Sequence, residues 1–242
     1  MTIATDNEYP KATNTTVYGA LLTFVAGLLL LMSFASPYWI GSYPEMFSSF
    51  KHMGLWEYCF ENFRYPYYQF PKLFTGCHYI FSQEFYVIRE WLLPGWLMVV
   101  QALVTLALMG SLTAQGLLAL VLVRWPLRTV LRYEWIATGI ACACTGTASV
   151  FLFLAVAVFG GNCYRRDWLM YPAFNVLDWS YALAVIAFML FGVASFLLYV
   201  ETKRSYESRR EAKNLVMQMQ MQEPQHAPSV QGGYPHHRSG YI

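Results

Sequence analysis

The most reactive side chains in this 242-residue chain are its five cysteines and five histidines. Cys59 and Cys77 share one stretch, 39–77, that is crowded with Tyr, Phe and Trp. Two thiols in an aromatic, β-prone segment suit a small sheet closed by a disulfide, a bond that persists in an oxidising compartment. Closing that ring contributes about 3 kcal/mol in the chain-entropy view. The competing chemistry is a zinc site from Cys59, Cys77, His52 and His78, but their spacing matches no ligand pattern, and no metal is expected. Five is odd, so at least one thiol stays outside any internal bridge. Cys142 and Cys144 fall inside an apolar run and read as small apolar residues, leaving Cys163 as the odd thiol. The chain has no phosphate loop, HExxH pair, dinucleotide-binding turn or nucleophile elbow, so neither an enzyme nor a cofactor is expected.

The elements that must hold this stretch are apolar. The chain is 57% hydrophobic and 12% charged, against about 25% charged residues in soluble domains. Its net charge of +2 is scattered, which leaves no footprint for nucleic acid. Charge-free intervals predict membrane spans at 17–36, 94–123, 135–159 and 179–200. Each supplies the roughly 20 residues that a helix needs to cross about 30 Å of hydrocarbon. The first is expected to be retained, because its apolar run is long for a signal peptide and no basic segment precedes it. No Asp, Glu, Lys or Arg lies deep in a span, so no ion or proton path is marked. Gly139, Ala143 and Thr147, with Ala141, Gly146 and Ala148 nearby, read as a small-residue packing face of a compact left-handed bundle. Gln101 and Gln115 read as hydrogen-bonding partners between helices.

Basic residues orient the spans. Arg124, Arg128 and Arg132 lie in the link 124–134, and Lys203, Arg204, Arg209, Arg210 and Lys213 lie in the tail 201–242. Both segments, and the N-terminus 1–16, are therefore expected in the cytoplasm. The large loop 37–93 and the smaller loop 160–178 face outward, where a disulfide is stable. The sequon at Asn14 would then be silent. In the large loop, residues 50–60 read as a strand or hairpin, 65–71 as an edge or turn, and 83–91 as weakly helical. The tail should begin as a helical extension and become disordered after Pro224. Its basic cluster should lie against anionic headgroups of the bilayer.

Trp39, Gly54-Leu55-Trp56, Cys59 and Cys77 follow the W…G-L-W-x-x-C…C signature of claudins, and Arg89 resembles the arginine that closes their first loop. The resemblance covers the four-span layout and extends to the wider superfamily of peripheral myelin proteins and calcium-channel gamma subunits. The longer Cys59–Cys77 spacing, a Pro94-Gly95-Trp96 insert and missing juxtamembrane cysteine pairs make the chain look most like the invertebrate septate-junction type (sinuous, megatrachea, kune-kune).

That resemblance implies an all-α four-helix transmembrane bundle bearing a small disulfide-stapled extracellular β-sheet. It implies a plasma-membrane protein at lateral cell–cell junctions, where like chains associate in cis and meet partners in trans to form or organise an epithelial paracellular barrier. The signature residues Trp39, Gly54, Leu55 and Trp56 would anchor the sheet on the helix tops. Phe81 sits where relatives place a residue of lateral contacts, and Trp168, Leu169 and Tyr171 are candidates for the surface that receives it or for trans contact. His78 lies near a position that tunes charge selectivity. The terminal Tyr241-Ile242 resembles the Tyr-Val end of many claudins and suits a PDZ groove, which buries a last apolar side chain and binds its carboxylate. The other function class is an auxiliary tetraspan subunit of a channel or receptor, of the gamma-subunit kind; a myelin-type or trafficking tetraspan is a third.

Overall fold

A computed structural model of the chain describes residues 12–43, 48–65, 72–125, 127–169 and 172–222. It divides into two units, Met1–Arg204 and Ser205–Ile242. Four helices are long and apolar enough to cross a membrane. Helix α1 spans Asn14–Ala35 and starts where the Thr13 side chain accepts a hydrogen bond from the Thr16 amide. A four-residue helix, α2 (Arg89–Leu92), precedes Pro94, after which α3 runs from Gly95 to Val123. Arg124 then takes a left-handed conformation, φ 54°, and ends α3. Helix α4 spans Leu127–Asn162 and α5 spans Trp179–Gln222.

The inward faces follow a seven-residue rhythm. On α3 the buried seam is Leu97, Val100, Val104, Ala107, Ser111, Ala114, Leu118 and Val121, with Gln101 buried beside Val100. On α5 they are Ser180, Ala184, Ala187, Phe191, Ala194, Leu198 and Glu201. Alternating steps of three and four keep one seam facing a neighbour, the spacing of left-handed helix packing. The same rule corrects the small-residue face expected on α4. Its buried seam is Thr138, Ala141, Thr145, Ala148, Leu152 and Ala155, whereas Ala143 and Thr147 are exposed. Steps of four alone turn through 400°, so such a row drifts around the helix and leaves the seam.

The link between α3 and α4 is shorter than the expected 124–134, because helix resumes at Leu127. Among the described residues, 83–91 holds only a 3-10 turn at Gln83–Phe85 and the start of α2. The described part of the second unit, 205–222, continues as helix. Residues 66–71, and the tail after Pro224, lie outside the described residues.

The sheet has five antiparallel strands in the order β4-β3-β2-β1-β5. Strands β1 (Ile40–Ser42), β2 (Phe50–Met53), β3 (Glu57–Phe63) and β4 (Phe74–Tyr79) come from the stretch between α1 and α2. Strand β5 (Asn175–Leu177) comes from the α4–α5 connection and pairs with β1, Ile40 opposite Leu177. The α1–α2 and α4–α5 connections thus build one sheet. Its buried residues Phe50, Tyr58, Phe60 and Phe74 share a single apolar cluster with Leu97, Phe159 and Phe191 of the helices.

Candidate functional site

Strand pairing brings Cys59 and Cys77 directly opposite each other on β3 and β4, with Cα atoms 4.0 Å apart, and their sulfurs are bonded. His52 lies close enough that its ring nitrogen and the two sulfurs fall within 4.8 Å of one another. Both sulfurs are consumed by the disulfide, however, so neither is a thiolate for a metal. The His52 ring instead stacks on Tyr38, centroids 4.3 Å apart, with Nδ1 3.0 Å from the Pro37 carbonyl. His78 faces Tyr58 across the ladder, partly buried, with Nε2 3.2 Å from the Thr75 carbonyl.

The signature residues form the seat of the sheet. Trp39 follows α1 and is fully buried; its indole N–H donates to the Ser33 carbonyl at 2.8 Å. Its ring meets the edges of Phe159 and Tyr181, at 5.0 and 5.9 Å between centroids. It therefore locks α1 to α4 and α5 inside the protein, not at the lipid boundary. Gly54 lies against the backbone of 36–37: an added Cβ would collide with the Ser36 carbonyl oxygen and come within 2.6 Å of the Pro37 Cα. Only glycine permits that approach. Leu55 is buried and its carbonyl accepts the Gln101 side-chain N–H at 2.6 Å. Gln101 thus ties α3 to the sheet's hairpin; Gln115 reaches the Ser111 hydroxyl (3.1 Å) and, across to α1, the Thr23 carbonyl (3.5 Å). Trp56 packs on Phe34 of α1, 5.2 Å between rings.

Leu92 is a junction that sequence reading missed. Its carbonyl ends α2 just before Pro94 and accepts two donors, Tyr58 Oη at 2.6 Å and Trp168 Nε1 at 3.3 Å. Burial pushes the Tyr58 phenol far above its ordinary value, which keeps it a donor. The hydroxyl beside Cys59 and a carbonyl before proline were the available signals, but nothing local pairs them.

Trp168 and Leu169 require a correction. They are 2% and 1% exposed and belong to the apolar core, Trp168 with its ring on Trp96 at 4.6 Å. Buried this way, they present no trans-contact face; an interior apolar pocket and a free carbonyl outcompete solvent for the indole. Tyr171, Tyr241 and Ile242 lie outside the described residues.

Phe81, by contrast, is 45% exposed, beside the exposed Tyr79, Tyr86 and Val87. Arg89 braces this rim: one guanidinium nitrogen donates to the carbonyls of Phe81 (3.3 Å) and Ser82 (3.2 Å). The group also lies 5.9 Å and 5.6 Å from the ring centres of Phe81 and Tyr86, a cation–π arrangement. Lys72 and Glu84 pair nearby at 2.6 Å, and the Lys72 hydrogen bond holds the Glu84 carboxyl below its ordinary value.

Cys142, Cys144 and Cys163 are free thiols. Cys142 and Ser195 exchange hydrogen bonds between α4 and α5, Sγ to the Ser195 carbonyl at 3.4 Å and Ser195 Oγ to the Cys142 carbonyl at 3.2 Å. Cys163 is buried and donates to the Gly160 carbonyl at 3.3 Å.

No curated protein sequence matches the chain. A family model described as PMP-22/EMP/MP20/Claudin tight junction matches residues 24–200, a stretch that begins inside α1 and ends in α5 and so includes the whole stapled sheet and its seat. With four spans, a five-stranded sheet and the Cys59–Cys77 bridge in the matched region, the chain belongs to the PMP-22/EMP/MP20/claudin family of tetraspan membrane proteins.

Proposed function

We propose that the protein is a claudin-like junction component that organises the paracellular barrier of an epithelium, in the manner of septate-junction members of the family. The observation that carries the reading is a sheet seated on the helices whose rim around Arg89 offers exposed Tyr79, Phe81 and Tyr86 to other proteins. Exposed aromatics braced by an arginine are the composition of protein contact surfaces. In this reading the sheet faces outside and the Arg124 link, the basic segment of α5 and both termini face the cytoplasm, as the basic residues favour. Phe81 supplies cis contact, Tyr171 contributes to trans contact, and His78 lines the paracellular face.

Depletion of the protein from an epithelium, with tracer exclusion measured across the layer, tests this. Tracer leakage together with staining confined to lateral contacts supports the reading. Normal exclusion with no compensating relative, and diffuse or synaptic staining, favours an auxiliary channel or receptor subunit.

A further inference from the structure

A groove of about 500 Å³ runs where the sheet meets α3. One wall is Met98, Ala102, Thr105 and Leu106. These are spaced i, i+4, i+7 and i+8, on the side of α3 away from its buried seam, so in a spanning helix they face the bilayer. Phe81, Leu93 and Trp56 close the end nearest the sheet.

The walls offer little to a polar ligand. The Gln101 side-chain N–H is given to the Leu55 carbonyl, and the Thr105 hydroxyl donates to the Gln101 carbonyl at 2.7 Å. The indole N–H of Trp56 is buried and has no hydrogen-bond partner, but its ring leaves no open path from the groove to that nitrogen. From 98 to 106 the wall extends about 12 Å along the helix axis at 1.5 Å per residue, within one leaflet of a hydrocarbon core about 30 Å thick. The groove has no charged lining residue, and its α3 wall includes the exposed Met98, Ala102 and Leu106. We infer that it seats one acyl chain of a glycerophospholipid from the leaflet on the sheet side, lying along α3 beneath Trp56 and Phe81. A headgroup would lose its hydration there without replacement, and a sterol hydroxyl would find no accessible donor. Because Phe81 is both a groove residue and an exposed rim residue, the chain would support the side chain from below.

The test uses full-length protein in phosphatidylcholine vesicles doped with a phosphatidylcholine carrying a diazirine on its acyl chain. After irradiation, adducts are mapped by mass spectrometry. The expected result is a several-fold excess of adducts on 98–106 and Phe81 over Met189, Val193 and Phe196, which are comparably exposed on α5. Ala102→Phe, at an exposed position, should fill the groove and reduce its labelling to the α5 level while α5 labelling is unchanged. Equal labelling of the two faces in the unmodified protein would overturn the proposal. So would groove labelling by a photoreactive sterol in preference to the phospholipid, or occupation of the groove by a second protein chain in crosslinking from residue 102.

Discussion

The two ends of the helix bundle are packed with side chains of opposite size. Where the sheet docks, the space is filled by large rings: Trp39, Trp96, Phe159 and Trp168 meet edge to face. At the other end a separate cluster consists of Ala20, Ala114, Leu118, Ala141 and Leu198. Small seam residues let helix backbones approach and gain dispersion energy directly. At the sheet end, bulky rings from the connecting segments hold a second layer, and their polar tips reach carbonyls that the turning chain leaves free, as Trp39 does at Ser33 and Trp168 at Leu92. Large rings brought in from the connecting segments thus separate a platform from a plain helix–helix contact.

The largest expected break of this contrast is Trp39→Ala. Truncating a fully buried indole costs about 3–5 kcal/mol and should loosen the sheet end first. Thermal unfolding in detergent should fall steeply, and hydrogen exchange should rise in β1 and β5 before it rises near Ala141. Opening the staple comes next: Cys59→Ser or Cys77→Ser should cost about 3 kcal/mol. The double variant should cost no more than either single one. Surface biotinylation should show reduced delivery for all three, and peptide mapping of the unmodified protein without reductant should recover 59 and 77 linked.

The opposite end is probed by Ala141→Leu. Overpacking a close contact costs about 1–3 kcal/mol, and here the loss should appear with the Cys59–Cys77 bridge and sheet protection intact. A variant that instead exposes the sheet would show that the two ends are one cooperative unit. The smallest effect is Tyr58→Phe, which removes one of two donors to the Leu92 carbonyl and should cost about 1 kcal/mol. Its readout is local, faster exchange around 89–93, because Trp168 still occupies that acceptor.

The membrane class, the four spans, the odd thiol count and the pair of cysteines suited to a bridge were all legible before folding. These follow from composition and from short-range pattern: twenty apolar residues without charge, or two cysteines in one aromatic loop, have few other physical solutions. The Gly54-Leu55-Trp56 motif was equally legible as a motif. Its reason was not, because the Ser36–Pro37 backbone that excludes a Cβ is remote in sequence and arrives only when α1 turns into β1. Strand β5 was hidden for a similar reason. Three residues carry almost no propensity signal, and Asn175–Leu177 become a strand only because β1 presents an unpaired edge. The same limit misplaced Trp168, Leu169 and the seam of α4. An aromatic loop residue or a small residue every fourth position looks available for contact from the sequence, but which side of it is covered depends on the neighbouring element. Burial is a property of two surfaces meeting, and only the tertiary structure brings the second surface to the first.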